Sequence, residues 1–120
     1  MIDVRNLTKR FGPKLAVDNL SFSVQKGEVL GFLGPNGAGK STTMRMITGF
    51  IPPTSGSVRV GDHDVSENPI AAKRLIGYLP ENAPLYPDMT VREYLTFVAK
   101  IKGVPRRDVA ACGHQRLAFV

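Results

Sequence analysis

The run Gly34-Pro35-Asn36-Gly37-Ala38-Gly39-Lys40-Ser41 constrains this chain more than any other segment. It satisfies GxxxxGK(S/T), and each fixed position has a physical task. Glycines permit positive φ, so backbone N–H groups can turn inward around an anion without side-chain obstruction. Lys40 can reach the β and γ phosphates of a nucleotide as a compact point charge. Ser41 offers a hydroxyl to Mg²⁺, and a helix starting there aims the positive end of its dipole at the phosphates. The flanking residues predict a strand-loop-helix unit. Val29-Leu30-Gly31-Phe32-Leu33 does not alternate, which reads as a central strand covered on both faces. Lys40 to Thr48 reads as a helix with Met44, Ile47 and Thr48 on one face and Gly49 as its end.

The rest of the chain is punctuated into short elements. Ile2 and Val4 alternate with polar residues up to Leu7, and Leu20, Phe22 and Val24 alternate before the Lys26-Gly27 turn. With Gly12-Pro13 between them, both read as half-buried antiparallel strands. Val58 and Val60 mark a further strand closed by Gly61-Asp62. Asn68-Pro69 opens a short helix through Arg74, with Asn68 as its N-cap. Ile76-Gly77-Tyr78-Leu79 reads as a buried strand ending at Pro80. Thr90-Val91-Arg92-Glu93 matches the capping box, and Val91, Tyr94, Leu95 and Val98 share a helical face that Gly103 and Pro105 bring to a stop. Residues 112–120 carry no readable period.

At 120 residues the chain holds at most one domain, large enough for a core without disulfides. The lone Cys112 and a charged N-terminus, MIDVRNLTKRF, point to a reducing, cytoplasmic setting. No apolar run approaches the roughly 20 residues of a membrane helix. The formal charge of +6 invites a polyanion reading, but Lys100, Lys102, Arg106, Arg107 and Arg116 stand against Asp108 alone. The first 99 residues carry eleven basic against nine acidic side chains, so the basicity belongs mainly to the tail. Nucleic acid is therefore not an expected partner. His63 between Asp62 and Asp64 is a turn, not a metal site, because three adjacent side chains rarely converge.

The longer run from Gly27 to Thr43 resembles the nucleotide-binding domain of ATP-binding cassette (ABC) transporters. Leu7-Thr8-Lys9-Arg10-Phe11-Gly12, Pro53-Thr54-Ser55-Gly56-Ser57-Val58 and Ile76-Gly77-Tyr78-Leu79-Pro80-Glu81 resemble that family in the expected order. The resemblance covers about residues 1–105 and leaves 106–120 as a tail. Tyr78-Leu79-Pro80-Glu81 and Leu85-Tyr86-Pro87-Asp88-Met89-Thr90 are most similar to exporters. The implied fold is α/β: the N-terminal part of a P-loop NTPase domain of ABC type with an antiparallel β subdomain, its C-terminal half missing. The implied ligands are ATP and Mg²⁺. Gly34, Pro35, Asn36, Gly37, Ala38, Gly39, Lys40, Ser41 and Thr42 would hold the phosphates, and Ser41 and Glu81 the magnesium. Phe11 would stack on adenine, with Val17 beside the ribose; the plain alternative for Phe11 is a buried strand residue. Many family members carry Gln where this chain has Glu81, the pivot between magnesium and the transmembrane partner. A carboxylate keeps the oxygen but adds negative charge beside a triphosphate, which is tolerable mainly with Mg²⁺ between them.

Several parts of the family pattern are not found in these 120 residues. They lack the signature Leu-Ser-Gly-Gly-Gln, an apolar strand ending in a magnesium-binding Asp and catalytic Glu (Walker B), and a switch His. His114-Gln115-Arg116-Leu117 only faintly resembles the residues that follow the signature. The chain reads as a truncated or frameshifted relative of a subunit coupling ATP binding and hydrolysis to export, with no catalytic residue of its own. Such a subunit works with a transmembrane permease and a second nucleotide-binding subunit, peripheral on the inner face of the membrane. The alternatives are a non-catalytic nucleotide-binding fragment, and a non-transport ABC or other P-loop ATPase.

Overall fold

A computed structural model describes residues 1–112; residues 113–120, and with them His114–Leu117, lie outside the described residues. Two units form, Met1–Tyr78 and the chain from Leu79 onward.

In the first unit, alternation does make strands. β1 (Ile2–Phe11) and β2 (Lys14–Val24) form a hairpin across Gly12-Pro13, where Gly12 takes φ 56. β3 (Ser55–Val60) pairs with the other edge of β1, and β4 (His63–Asp64), too short to be legible as a strand, pairs with β3. The sheet order is β2-β1-β3-β4, with every pairing antiparallel. α1 (Lys40–Ile47) packs against β2 and β3, and α2 (Pro69–Arg74) against β4. Val4, Leu7, Val17, Val58 and Val60 of the sheet meet Met46 and Ile47 of α1 and Val65 and Ala72 in one buried cluster. Burying side chains the size of Leu7 or Met46 contributes about 1.5–3 kcal/mol each.

Three readings are corrected. Of the face expected on α1, Ile47 and Thr48 are buried but Met44 is exposed, and Thr43 and Met46 take its place. Thr43 enters the core because its hydroxyl donates to Gly39 O at 2.9 Å, leaving no polar atom unsatisfied. Asn68 stands at the N-cap of α2 without a side-chain bond; Asp64 Oδ1 instead accepts from the N–H groups of Ser66 and Glu67 at 2.8 and 3.2 Å. Most consequentially, Val29–Leu33 and Ile76–Leu79 are not ladder strands. Val29, Leu33 and Leu79 stand 97, 94 and 83% exposed. A run apolar on both faces needs a strand along each edge and a layer over each face. Among the described residues none pairs with Val29–Leu33 as a strand; Phe32 packs on Phe22, with ring centroids 5.6 Å apart.

The second unit is built on α3 (Val91–Ile101). Its capping box is complete: Glu93 N–H donates to Thr90 Oγ1 at 3.2 Å and Thr90 N–H to Glu93 Oε2 at 2.7 Å. Of the expected face, Tyr94, Leu95 and Val98 are half-buried but Val91 is exposed, and Ala99 is the buried residue. Tyr94 O–H donates to Pro84 O at 3.2 Å, and Tyr86 packs against Tyr94 and Phe97. Gly103, at φ 78, follows the end of the helix.

Candidate functional site

Gly39 occupies the N-cap of α1 with φ 94, and α1 has neither a capping side chain nor an acidic residue in its first turn. The first-turn amides of Lys40, Ser41 and Thr42 therefore face forward without an intrahelical acceptor, and the positive end of the helix dipole is left for an external anion. The loop's other left-handed glycine is Gly37, at φ 83, next to Ala38, whose N–H donates to Pro35 O at 3.2 Å. Gly34 needs no special φ but guards the interior: a Cβ there would lie 3.3 Å from Ala38 Cβ and 3.8 Å from Lys40 Cδ.

Lys40 folds back along the loop. Its Nζ donates to Gly34 O and, at 2.9 Å, to Pro35 O. An ammonium has three donors, so one remains for an incoming anion. Ser41 is exposed and Thr42 half-buried on the same turn.

The hairpin supports this loop. A Cβ on Gly39 would stand 2.4 Å from Ala16 O and 3.1 Å from Val17 Cγ2, so the loop passes β2 at a distance only glycine allows. Val17 is buried at that seat. Sequence reasoning missed the contact, although glycine at the last loop position was its available signal. Phe11 is not buried: it ends β1 with 48% of its surface exposed, and Lys9 Nζ sits 5.2 Å from its ring centroid. Lys9 is itself held by Pro52 O at 2.7 Å, so the cation is fixed over the ring. Glu81 is exposed in the turn that begins the second unit.

A glycine loop with no room for a Cβ at its last position, an uncapped helix and a flexible cation suit a polyphosphate, and the exposed Ser41 hydroxyl suits a hard cation beside it. The comparisons with known proteins agree. Residues 17–117 match the family described as ABC transporter. The chain is 40% identical over its full length to the linearmycin resistance ATP-binding protein LnrL of Bacillus subtilis, covering 39% of that protein. It is 45% identical over 118 residues to the Nod factor export ATP-binding protein I of Burkholderia lata, covering 98% of this chain and 39% of that one. A solved structure of the ATP-binding subunit of an ABC transporter superposes with a TM-score of 0.81 at 29% identity, over 90% of this chain and 45% of that one.

The fold is that of a phosphate-loop ATPase, seen here over part of the domain. The chain belongs to the ABC transporter family. It spans about two-fifths of the length of these curated relatives. Among the described residues no helix is long and apolar enough to cross a membrane.

Proposed function

We propose that this chain is the ATP-binding component of an ABC exporter and takes Mg-ATP at Gly34–Thr42. The observation that carries the reading is the close seat of Gly39 on Ala16, which fixes an uncapped helix and an open amide cradle against the hairpin. The first-turn amides of Lys40, Ser41 and Thr42 bind phosphate oxygens within the loop Gly34–Thr42, and Lys40 exchanges a loop carbonyl for the β and γ phosphates. Ser41 ligates magnesium, with Glu81 as its second protein ligand and the link to the transport partner. The exposed Phe11 ring stacks on adenine and Val17 supports the ribose. When bound, magnesium would supply positive charge against the phosphates, and Ser41 and Glu81 are the residues that would hold it.

Residues 1–105 form the N-terminal part of the nucleotide-binding domain and 106–120 a tail. The partners are a transmembrane permease and a second nucleotide-binding subunit at the cytoplasmic face of the membrane. Export is supported by the name of one relative, the Nod factor export ATP-binding protein I, and the other relative is named for linearmycin resistance.

Lys40→Ala tests the site. Calorimetric affinity for Mg-ATP is expected to fall by at least about tenfold, the scale of a charge-assisted contact. The two bonds to Gly34 O and Pro35 O are lost as well, so the ligand-free loop loosens while the sheet and core keep their circular-dichroism spectrum. Unchanged affinity would refute the assignment.

A further inference from the structure

Asn6 and Asn19 face each other across the hairpin, and their geometry has no part in the nucleotide site as described above. We infer that they are positioning residues for the nucleotide: a pair of opposed bulges that sets the register of the hairpin's far end, where Phe11, Ala16 and Val17 lie. The inference rests on the reading of Phe11 as the ring that meets the base.

Among the described residues these two are the non-glycine positions with positive φ, at 48 and 47°. Asparagine tolerates that region better than other side chains. Asn6 Nδ2 donates to Asn19 Oδ1 at 2.8 Å. Each backbone N–H is taken by a hydroxyl of the opposite strand: Asn6 N–H donates to Ser21 Oγ at 2.8 Å and Asn19 N–H to Thr8 Oγ1 at 3.0 Å. The third strand accommodates the distortion too. Gly56, at φ 87, passes so close that a Cβ on it would lie 2.3 Å from Asn6 O.

The register explains why these two bulges come as a pair, ahead of a third shift at Ala16. From the pair Val4–Phe22 to the pair Leu7–Leu20, β1 advances three residues and β2 two; from there to Lys9–Val17, β1 advances two and β2 three. The extra residue on β1 is thus cancelled by one on β2. Side chains alternate with period two, so either bulge alone would shift the strands by one and turn Val17 from the core to solvent. With both present, Val17 stays buried beside Gly39. Ala16, itself passed over in the ladder between Lys9–Val17 and Arg10–Leu15, turns its carbonyl toward Gly39, and Phe11 closes the hairpin opposite Lys14. The amide pair is exposed and adds little core burial, so its consequence is placement.

The test compares affinities of the 120-residue chain for Mg-ATP and for inorganic tripolyphosphate with Mg²⁺, by calorimetry. Their ratio isolates the adenosine contribution, which a general loss of stability would not select. Phe11→Ala is expected to lower the ratio roughly fivefold or more, the low end of base stacking on an aromatic ring. Asn6→Asp and Asn19→Asp each leave one amide to donate to one carboxylate, and each is expected to stay within about twofold of wild type. The double variant sets two carboxylates against each other and is expected to lower the ratio roughly threefold or more, a coupling that neither single change has. Should the double variant not fold, Asn6→Gly, which keeps the left-handed backbone but has no amide to donate, is expected to lower the ratio by a similar factor. A lowered ratio in Phe11→Ala with an unchanged ratio in the folded double variant, or in Asn6→Gly where that variant is the one used, overturns this inference alone. An unchanged ratio in Phe11→Ala overturns the stacking reading and the inference together.

Discussion

Replacing Gly39 by alanine tests whether the hairpin seats the phosphate loop. Two penalties combine at this position. Gly39 has φ 94, and a left-handed conformation costs an L side chain roughly 1–2 kcal/mol. The new Cβ would also stand 2.4 Å from Ala16 O, a strand backbone atom that cannot swing aside, and 3.1 Å from Val17 Cγ2. Overpacking of this kind costs typically about 1–3 kcal/mol. Together they give roughly 2–5 kcal/mol, a large share of the ~5–15 kcal/mol by which a small domain is stable. Gly37 is the internal control, with φ 83 and nothing within 4 Å of a Cβ. Gly37→Ala therefore carries the backbone penalty alone, about 1–2 kcal/mol. Urea unfolding followed by circular dichroism, with Mg-ATP calorimetry on the same samples, separates the two outcomes. Either the hairpin gives way and the urea midpoint of Gly39→Ala falls well below that of Gly37→Ala, or the loop gives way and the difference appears in affinity. Equal midpoints and equal affinities for the two variants would refute the seat.

Two further predictions concern the chemistry. Glu81→Gln is expected to retain most of the magnesium dependence of ATP binding, whereas Glu81→Lys is expected to abolish it; titration with and without Mg²⁺ reads both, and intact dependence in Glu81→Lys makes Glu81 a bystander. The 120-residue chain is expected to bind Mg-ATP without turning it over. Amides, an ammonium and a hydroxyl at Gly34–Thr42 bind phosphate, but none of them is a base, and binding that does not favour the transition state leaves the chemical rate unchanged. Sustained phosphate release that disappears in Lys40→Ala would contradict this.

The features legible in the sequence are those decided within a few residues. Gly34–Ser41 specifies its own loop, Thr90 and Glu93 complete their own capping box, and Gly12, Gly49 and Gly103 mark chain turns by conformational freedom at a single position. Val29–Leu33 is readable as apolar on both faces, but the period of a segment does not say what pairs with it, and among the described residues nothing does. Of the two readings of Phe11, the buried strand residue is the one the structure excludes, since the ring is exposed.

The hairpin bulges were hidden for a different reason: strict alternation assumes a strand without extra residues. Their trace is nevertheless present. The dipeptide Asn-Leu occurs at Asn6-Leu7 and again at Asn19-Leu20. In both places the apolar residue before it, Val4 or Val17, lies three positions back where an unbroken strand would place it two back. A spacing of three with asparagine just before its end combines one residue too many for the pleat with the side chain best able to take φ near 48°. Here the interruption lies between the core and the strand ends that meet the phosphate loop. A local departure from the strand period thus belongs to the placement of the site, and it is better read as part of the site than as noise in a strand.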